Sequence, residues 1–234
     1  MNWNDKYRPQ TFDDLTGDRD EHQSIKAMVL SADIPHLLLY GASGSGKTTL
    51  AEIISRVICG DYPHPDFVEI NASDDRGIEK IRQIIQRATR NMSLSGGKKI
   101  LFFDECDGLT RDAQELLRRP IEKSHNALFI FSCNDIAQVI PAIRSRCALY
   151  HLELSKEHVI QRLRHIVDAE GLELDKGVYE EIAQKAAITP KGQISPSYDM
   201  RAAINELQKR IALFNLHDSD QQVAEYLKSK AATS

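Results

Sequence analysis

Between residues 34 and 154, short apolar runs alternate with longer amphipathic stretches, and this spacing predicts strands separated by helices. PHLLLYG (35–41) reads as a short buried strand, followed by a glycine-rich turn and a helix beginning near Lys47. FVEINASD (67–74) is the next strand. DRGIEKIRQIIQRATRNM (75–92) has helical periodicity, with Ile78, Ile81, Ile85 and Ala88 on one face. KKILFFDE (98–105) reads as a strand ending in acids, and DAQELLRRPIEK (112–123) as a helix with Asp112 as its N-cap. Pro120 is expected to end or bend that helix. ALFIFSCN (127–134) and CALYHLEL (147–154) complete the strands. Strands separated by helices imply a parallel sheet covered on both faces.

After Ser155 the pattern changes. KEHVIQRLRHIVDAEG (156–171) predicts a helix closed by Gly171, GVYEEIAQKAA (177–187) a second, and MRAAINELQKRIALFNL (200–216) a third. TPKGQISPSY (189–198) reads as an exposed loop. The expected organisation is an α/β core over 1–155, a small helical domain over 156–216 and a polar tail over 217–234.

The chain's 234 residues suffice for one large domain, or a medium and a small one. An apolar fraction of 41 % and a charged fraction of 27 % are ordinary for a globular protein. No apolar run reaches the roughly 18 residues needed to span a bilayer. The polar start, MNWNDKYRPQ, lacks the apolar core of a secretory leader, so an intracellular protein with no membrane partner is expected. Cys59, Cys106, Cys133 and Cys147 form no C-x-x-C pair and have no histidine at zinc-finger spacing. They read as reduced, mostly buried thiols. The net charge of −4 excludes a globally basic nucleic-acid binder. Yet seven Lys or Arg and one acid, Glu79, lie between Arg76 and Lys99. At helical spacing Arg76, Lys80, Arg87 and Arg90 share one stripe, while Arg82 points elsewhere. Such a stripe is either a solvated face or a track for a phosphate backbone.

GASGSGKT (41–48) fits G-x-x-x-x-G-K-[ST] between a predicted strand and a predicted helix. Gly41, Gly44 and Gly46 permit backbone turns that let successive N–H groups converge on phosphate, and Ser43, Ser45 and Thr49 belong to the same cradle. The helix N-terminus adds its positive dipole end. Lys47 would neutralise phosphate oxygens of ATP, and Thr48 would offer a hydroxyl to Mg²⁺. ILFFDE (100–105) carries Asp104 and Glu105 at the end of an apolar strand, a costly place for acids unless a cation or a reaction uses them. Asp104 is placed to hold Mg²⁺ through water and Glu105 to polarise the attacking water. These two motifs alone leave a kinase open as well, because both classes cradle phosphate alike.

KYRPQTFDDLTG (6–17), IPHLLLYGASGSGKTT (34–49), EINASDDRGIEKIR (69–82), FFDECDGLTRDAQELLRR (102–119), FIFSCND (129–135), IRSRC (143–147) and DMRAAINELQ (199–208) occur in this order. Together they resemble the small subunits of replication factor C, the clamp loader, within the AAA+ class. The resemblance implies a P-loop AAA+ core with a parallel sheet and a helical lid. It implies that Asn134 is a sensor placing water against the γ-phosphate, and that Arg146 is an arginine finger entering a neighbouring subunit's site. Arg201 matches a second sensor on the lid, and Tyr7, Arg8 and Pro9 match a stretch near the adenine. Asn71 matches a residue that restrains the catalytic Glu. The Arg76 and Arg82 positions, with Lys80 on the same helix, are expected to face DNA.

Two local departures stand out: Cys106 where Ala is usual, and Tyr198 where glycine is common. Family members continue as a collar of roughly another hundred residues, an ordinary domain size, whereas the resemblance here ends near residue 214, so the collar is expected to be lacking. The implied function is ATP-driven loading of a sliding clamp onto primer–template DNA together with other clamp-loader subunits. The compartment would be cytoplasmic in an archaeon and nuclear in a eukaryote. Other readings are a AAA+ remodeller of proteins or Holliday junctions, and a non-hydrolysing structural subunit. The first expects an aromatic pore loop, which 85–97 does not offer, and the second a broken Lys47, Glu105 or Arg146, all of which are intact.

Overall fold

The strand-forming runs assemble into one five-stranded parallel sheet, in the spatial order FVEIN, KILFFD, ALFIFSC, LLLY, ALYH. The computed structural model describes residues 2–31, 34–72, 78–90, 93–94, 96–124, 126–189 and 196–214. In chain order these form α1 (Trp3–Lys6), α2 (Arg19–Leu30), β1 (Leu37–Tyr40), α3 (Lys47–Cys59), β2 (Phe67–Asn71) and α4 (Ile78–Arg90). Next come β3 (Lys99–Asp104), α5 (Arg111–Lys123), β4 (Ala127–Cys133), the short α6 (Pro141–Arg144) and β5 (Ala148–His151). The remainder is α7 (Lys156–Ala169), α8 (Lys176–Lys185), β6 (Ala187–Ile188), β7 (Ser197–Tyr198) and a helix over 200–214, here α9.

Strand residues alternate between two cores, as the pleat requires. Leu38, Leu101, Phe103, Phe129 and Phe131 face α4 and α5, meeting Ile81, Ile85, Leu117 and Ile121. Leu37, Leu39, Ile100, Phe102 and Ile130 face α2 and α3, meeting Ile25, Leu50, Ile53 and Ile54. The helices α7, α8 and α9 enclose a third core around Leu163, Ile166, Ile182 and Leu207. Trp3 and Tyr7 from the N-terminus pack against that third core. None of the described helices is long and apolar enough to cross a membrane.

Several local expectations need correction. Thr110, not Asp112, caps α5: its backbone is the extended residue, and its Oγ1 accepts a hydrogen bond from Ala113 N at 3.3 Å. Of the two outcomes expected at Pro120, the helix does not end there: α5 runs to Lys123, and the Pro120 carbonyl accepts from Ser124 N at 3.0 Å in its last turn. The last sheet strand stops at His151, matching the four residues of β1, and Leu154 joins the third core instead. Ser197 and Tyr198 are buried in the antiparallel β6–β7 pair, not part of an exposed loop. Of the cysteines, Cys59, Cys106 and Cys133 are buried and Cys147 half-buried, all free.

Phe103 stacks on Phe131 with ring centroids 5.2 Å apart and on Phe129 at 6.4 Å, directly under the strand end that carries Asp104. Phe103→Ala should therefore destabilise the fold by about 3–5 kcal/mol, read as a lower midpoint in urea unfolding.

Candidate functional site

The carboxyl ends of β1, β4 and β3 lie side by side, which is where ligands collect in open parallel sheets. β1 runs into the glycine-rich turn. Gly46, at φ +95°, precedes the first turn of α3, so the N–H groups of that turn open onto a cavity of about 460 Å³. Ser43, Gly44, Ser45, Gly46, Lys47, Thr48 and Thr49 line it, together with Asp104, Glu105, Ser132 and Asn134. Gly41 lies behind the loop at φ +149°, where a Cβ would stand 2.1 Å from the Leu152 carbonyl oxygen.

Lys47 is buried, and its ammonium donates to Gly41 O at 2.9 Å, Ala42 O at 2.8 Å and Asn134 Oδ1 at 3.0 Å. Burial lowers its pKa below the ordinary lysine value, opposed first by Asp104. Among the described residues Ser45 Oγ, buried in the same cradle, has no hydrogen-bond partner, which suits a site made for phosphate oxygens.

Thr48 Oγ1 donates to Asp104 Oδ2 at 3.0 Å. The other carboxylate oxygen accepts from Ser132 Oγ, and Glu105 N sits 3.0 Å from Ser132 Oγ and 3.2 Å from Asp104 Oδ1. Glu105 is the one described non-glycine residue with positive φ, at 55°, and its side chain is exposed at the cavity. Held there by its N–H, it is a carboxylate free to meet a ligand. Asn71 ends β2 in register with Asp104.

Asp107 Oδ2 accepts from Asn134 N at 3.0 Å and from Asp135 N at 3.1 Å, fixing the turn that presents Asn134 to Lys47. Ser132 and Asp107 were not singled out from the sequence. A serine inside the apolar run FIFSC was the available signal for the first, whereas an acid in a turn carries none.

Two further walls close the cavity. Arg8 donates from Nε to Thr49 Oγ1 at 3.4 Å and pairs through Nη2 with buried Glu52 at 2.9 Å. Tyr7 lines the cavity while its hydroxyl donates to Glu170 at 2.7 Å, and the Tyr7 carbonyl accepts from Arg162. Arg201 lines it from α9 and makes no ion pair among the described residues. Asp199 caps α9, accepting from Ala202 N at 3.1 Å, and its Oδ1 would lie 1.9 Å from a Cβ at Gly44.

Arg146 is elsewhere. Its guanidinium is bound by Glu122, with Nε 2.8 Å from Oε1, and by the Ala142 carbonyl at 2.7 Å. Of the expected DNA-facing residues, Lys80 and Arg82 are exposed on α4, and Arg82 pairs with Glu79 at 2.9 Å. Arg76 lies outside the described residues.

Ser132→Ala removes the buried hydroxyl that orients Asp104. It should lower any turnover at this site by at least about tenfold, as loss of an outer-shell partner does, with a smaller change in nucleotide affinity. Parallel binding and turnover assays check this. A second expectation concerns pH. Burial raises the Glu52 carboxyl above its ordinary value, and Arg8 and Arg56 pull it back only in part. A raised carboxyl costs stability at high pH, and the cost fades as pH falls through its folded pKa. Arg8→Met should cost about 1–2 kcal/mol near pH 8 and progressively less toward pH 5, in urea unfolding over that range.

The model of the AAA family, ATPases associated with various cellular activities, matches residues 37–152. A replication factor C small subunit of Methanoculleus marisnigri is 42 % identical over 88 % of this chain and 62 % of its own length. The replication factor C subunit 3 of Oryza sativa subsp. japonica is 38 % identical over 95 % of this chain and 59 % of its own. The chain thus spans about three fifths of the length of these relatives. Among solved structures, the Thermotoga maritima RuvB Holliday junction branch migration motor superposes with a TM-score of 0.69 at 20 % identity, covering 91 % of this chain and 67 % of that one. At that identity the likeness concerns the fold alone. With five parallel strands, a glycine-rich nucleotide cradle and this degree of sequence identity, the chain belongs to the AAA+ ATPases and, within them, to the replication factor C small-subunit family.

Proposed function

We propose that this chain is an ATP-hydrolysing subunit of a clamp loader, working with other subunits to place a sliding clamp on primer–template DNA inside the cell. The convergence of Lys47, the Thr48–Asp104–Ser132 chain and Asn134 in one cavity carries this reading. In it, residues 1–155 act as the ATPase core and 156–216 as a lid.

The loop N–H groups and Lys47 bind the phosphates of ATP, so Lys47 exchanges carbonyl partners for anionic oxygens. Thr48 and Asp104 are hard oxygen donors within hydrogen-bond distance of each other, a set that fits Mg²⁺. That ion, held by Thr48 and Asp104, would neutralise charge on the phosphates. Ser132 keeps one Asp104 oxygen engaged so that the other stays aimed at Thr48. Glu105 orients and polarises the attacking water, Asn134 positions it, and Arg201 contacts the terminal phosphate. Tyr7 and Arg8 close the cavity beside the nucleoside.

Arg146 is absent from the lining of its own cavity, which supports action on a neighbour's bound nucleotide. Glu122 holds its guanidinium ready on the surface. In this reading Lys80 and Arg82 of α4 contact the phosphate backbone, supported by their exposure and by the groove that Arg82 shares with Arg118 and Arg119 of α5. Arg76, which lies outside the described residues, belongs to the same proposed contact. Binding of this kind follows charge and shape rather than base sequence.

ATP turnover per molecule should rise with protein concentration and rise again with primer–template DNA, since the site is completed by a second subunit. Arg146→Ala should abolish that rise, by a factor on the order of 10³ if the finger acts as in other phosphoryl transfers, while leaving ATP affinity of the monomer intact. Unchanged turnover in Glu105→Gln would sink the assigned mechanism.

A further inference from the structure

His22 is a polar side chain in the nucleotide cavity that the phosphate chemistry does not use. It lies in the second turn of α2, which Asp18 caps through Asp20 N at 2.9 Å. The residue is only 8 % exposed, and what remains accessible opens into the cavity it lines. Among the described residues its ring makes no hydrogen bond to the protein. Its close neighbours are Gly17 and Leu154: a Cβ built at Gly17 would stand 3.3 Å from His22 Cε1 and 3.5 Å from Leu154 Cδ2.

Neither ring nitrogen is among the buried polar atoms that lack a partner, so the polar edge of the ring stays open to the cavity and available to a ligand there. Leu15, Leu152, Leu154 and Ile204 belong to the same cavity wall. They provide an apolar slot suited to a flat base once the phosphates are anchored at Lys47. Burial holds the imidazole pKa below its ordinary value, with Asp18 opposing and His158 adding to the shift. The neutral ring therefore carries one N–H donor and one bare nitrogen acceptor. Neither is committed to the protein, so a ligand sets the tautomer.

We propose that His22 is a base-reading residue: one imidazole nitrogen hydrogen-bonds the edge of the purine of the bound nucleotide, adding base recognition to the phosphate cradle. This rests on the phosphate-loop reading of Lys47 and separates from it by ligand. His22 would contribute to binding of the nucleoside and nothing to binding of the phosphates alone.

The test compares the full chain with His22→Val, His22→Gln and Lys47→Ala, each checked for an unaltered thermal unfolding profile. Binding of ATP and of inorganic tripolyphosphate is measured by calorimetry. His22→Val should lose about five- to tenfold in ATP affinity, as expected for one hydrogen bond, and keep its tripolyphosphate affinity. His22→Gln, which retains a donor and an acceptor, should recover most of the loss. Lys47→Ala should lose both ligands. Equal ATP affinity in the unaltered chain and His22→Val would overturn the assignment. So would a parallel loss of ATP and tripolyphosphate in His22→Val, which would mark a purely structural role. If the unaltered chain bound neither ligand, the phosphate-loop reading would fall and this inference with it.

Discussion

A buried ammonium has to find acceptors, and much of this molecule's architecture can be understood from how Lys47 finds its three. Gly41 O and Ala42 O lie within 2.9 Å only because the chain turns back over them through Gly44 and Gly46, both at positive φ. The third acceptor, Asn134 Oδ1 at 3.0 Å, comes from the end of β4. It is available because β4 pairs in parallel with β1, so the chain following each strand emerges at the same edge of the sheet. Asp107 then binds the backbone of Asn134 and carries that geometry to the end of β3. The cation thus links three strand ends through hydrogen bonds stronger than neutral ones. A phosphate group entering the cradle competes for the same protons, so binding is an exchange of acceptors rather than the filling of a void.

The same adjacency explains what the sequence disclosed and what it withheld. The uninterrupted apolar runs ILFF and ALFIF carried the sheet covered on both faces, since successive residues do reach opposite cores. The phosphate cradle was legible because its spacing is local: a loop of eight residues makes its own site. Strand ends were read less well. The pattern CALYHLEL is apolar through Leu154, but pairing stops with its four-residue partner β1, and periodicity cannot report a partner's length. Ser132 and Asp107 were missed for a related reason. Their importance lies in contacts to Asp104 and Asn134 across 27 or 28 residues of chain, which no local pattern records. Glu122 beside Arg146 is the same case over 24 residues.

Glu52 and Arg8 illustrate how the N-terminal segment becomes part of the site. Trp3 N donates to Gln208 at 3.1 Å, Asn4 Nδ2 to Asn205 at 2.5 Å and Lys6 Nζ to Glu170 at 2.7 Å, all on the helical side. Two residues further on, Arg8 reaches Glu52 and Thr49 on α3. One short stretch is therefore hydrogen-bonded both to the phosphate-loop helix and to the helices α7 and α9. These contacts are polar and mostly half-exposed, so each contributes little alone. Their value is geometric: they keep Arg162, Arg201 and Tyr7 along one rim.

Asp199 completes this logic from the other side. Its carboxylate is engaged as the cap of α9 and at the same time occupies the space a Cβ on Gly44 would need. Gly44 is thus required twice, once for its φ of +72° and once for the close approach of the α9 cap. A side chain at position 44 would press on Asp199, the residue that caps the turn of α9 bearing Arg201. The phosphate loop and the first turn of α9, which bears Arg201, thus meet at a contact that only glycine allows, so the cradle and the Arg201 wall of the cavity are packed directly on one another.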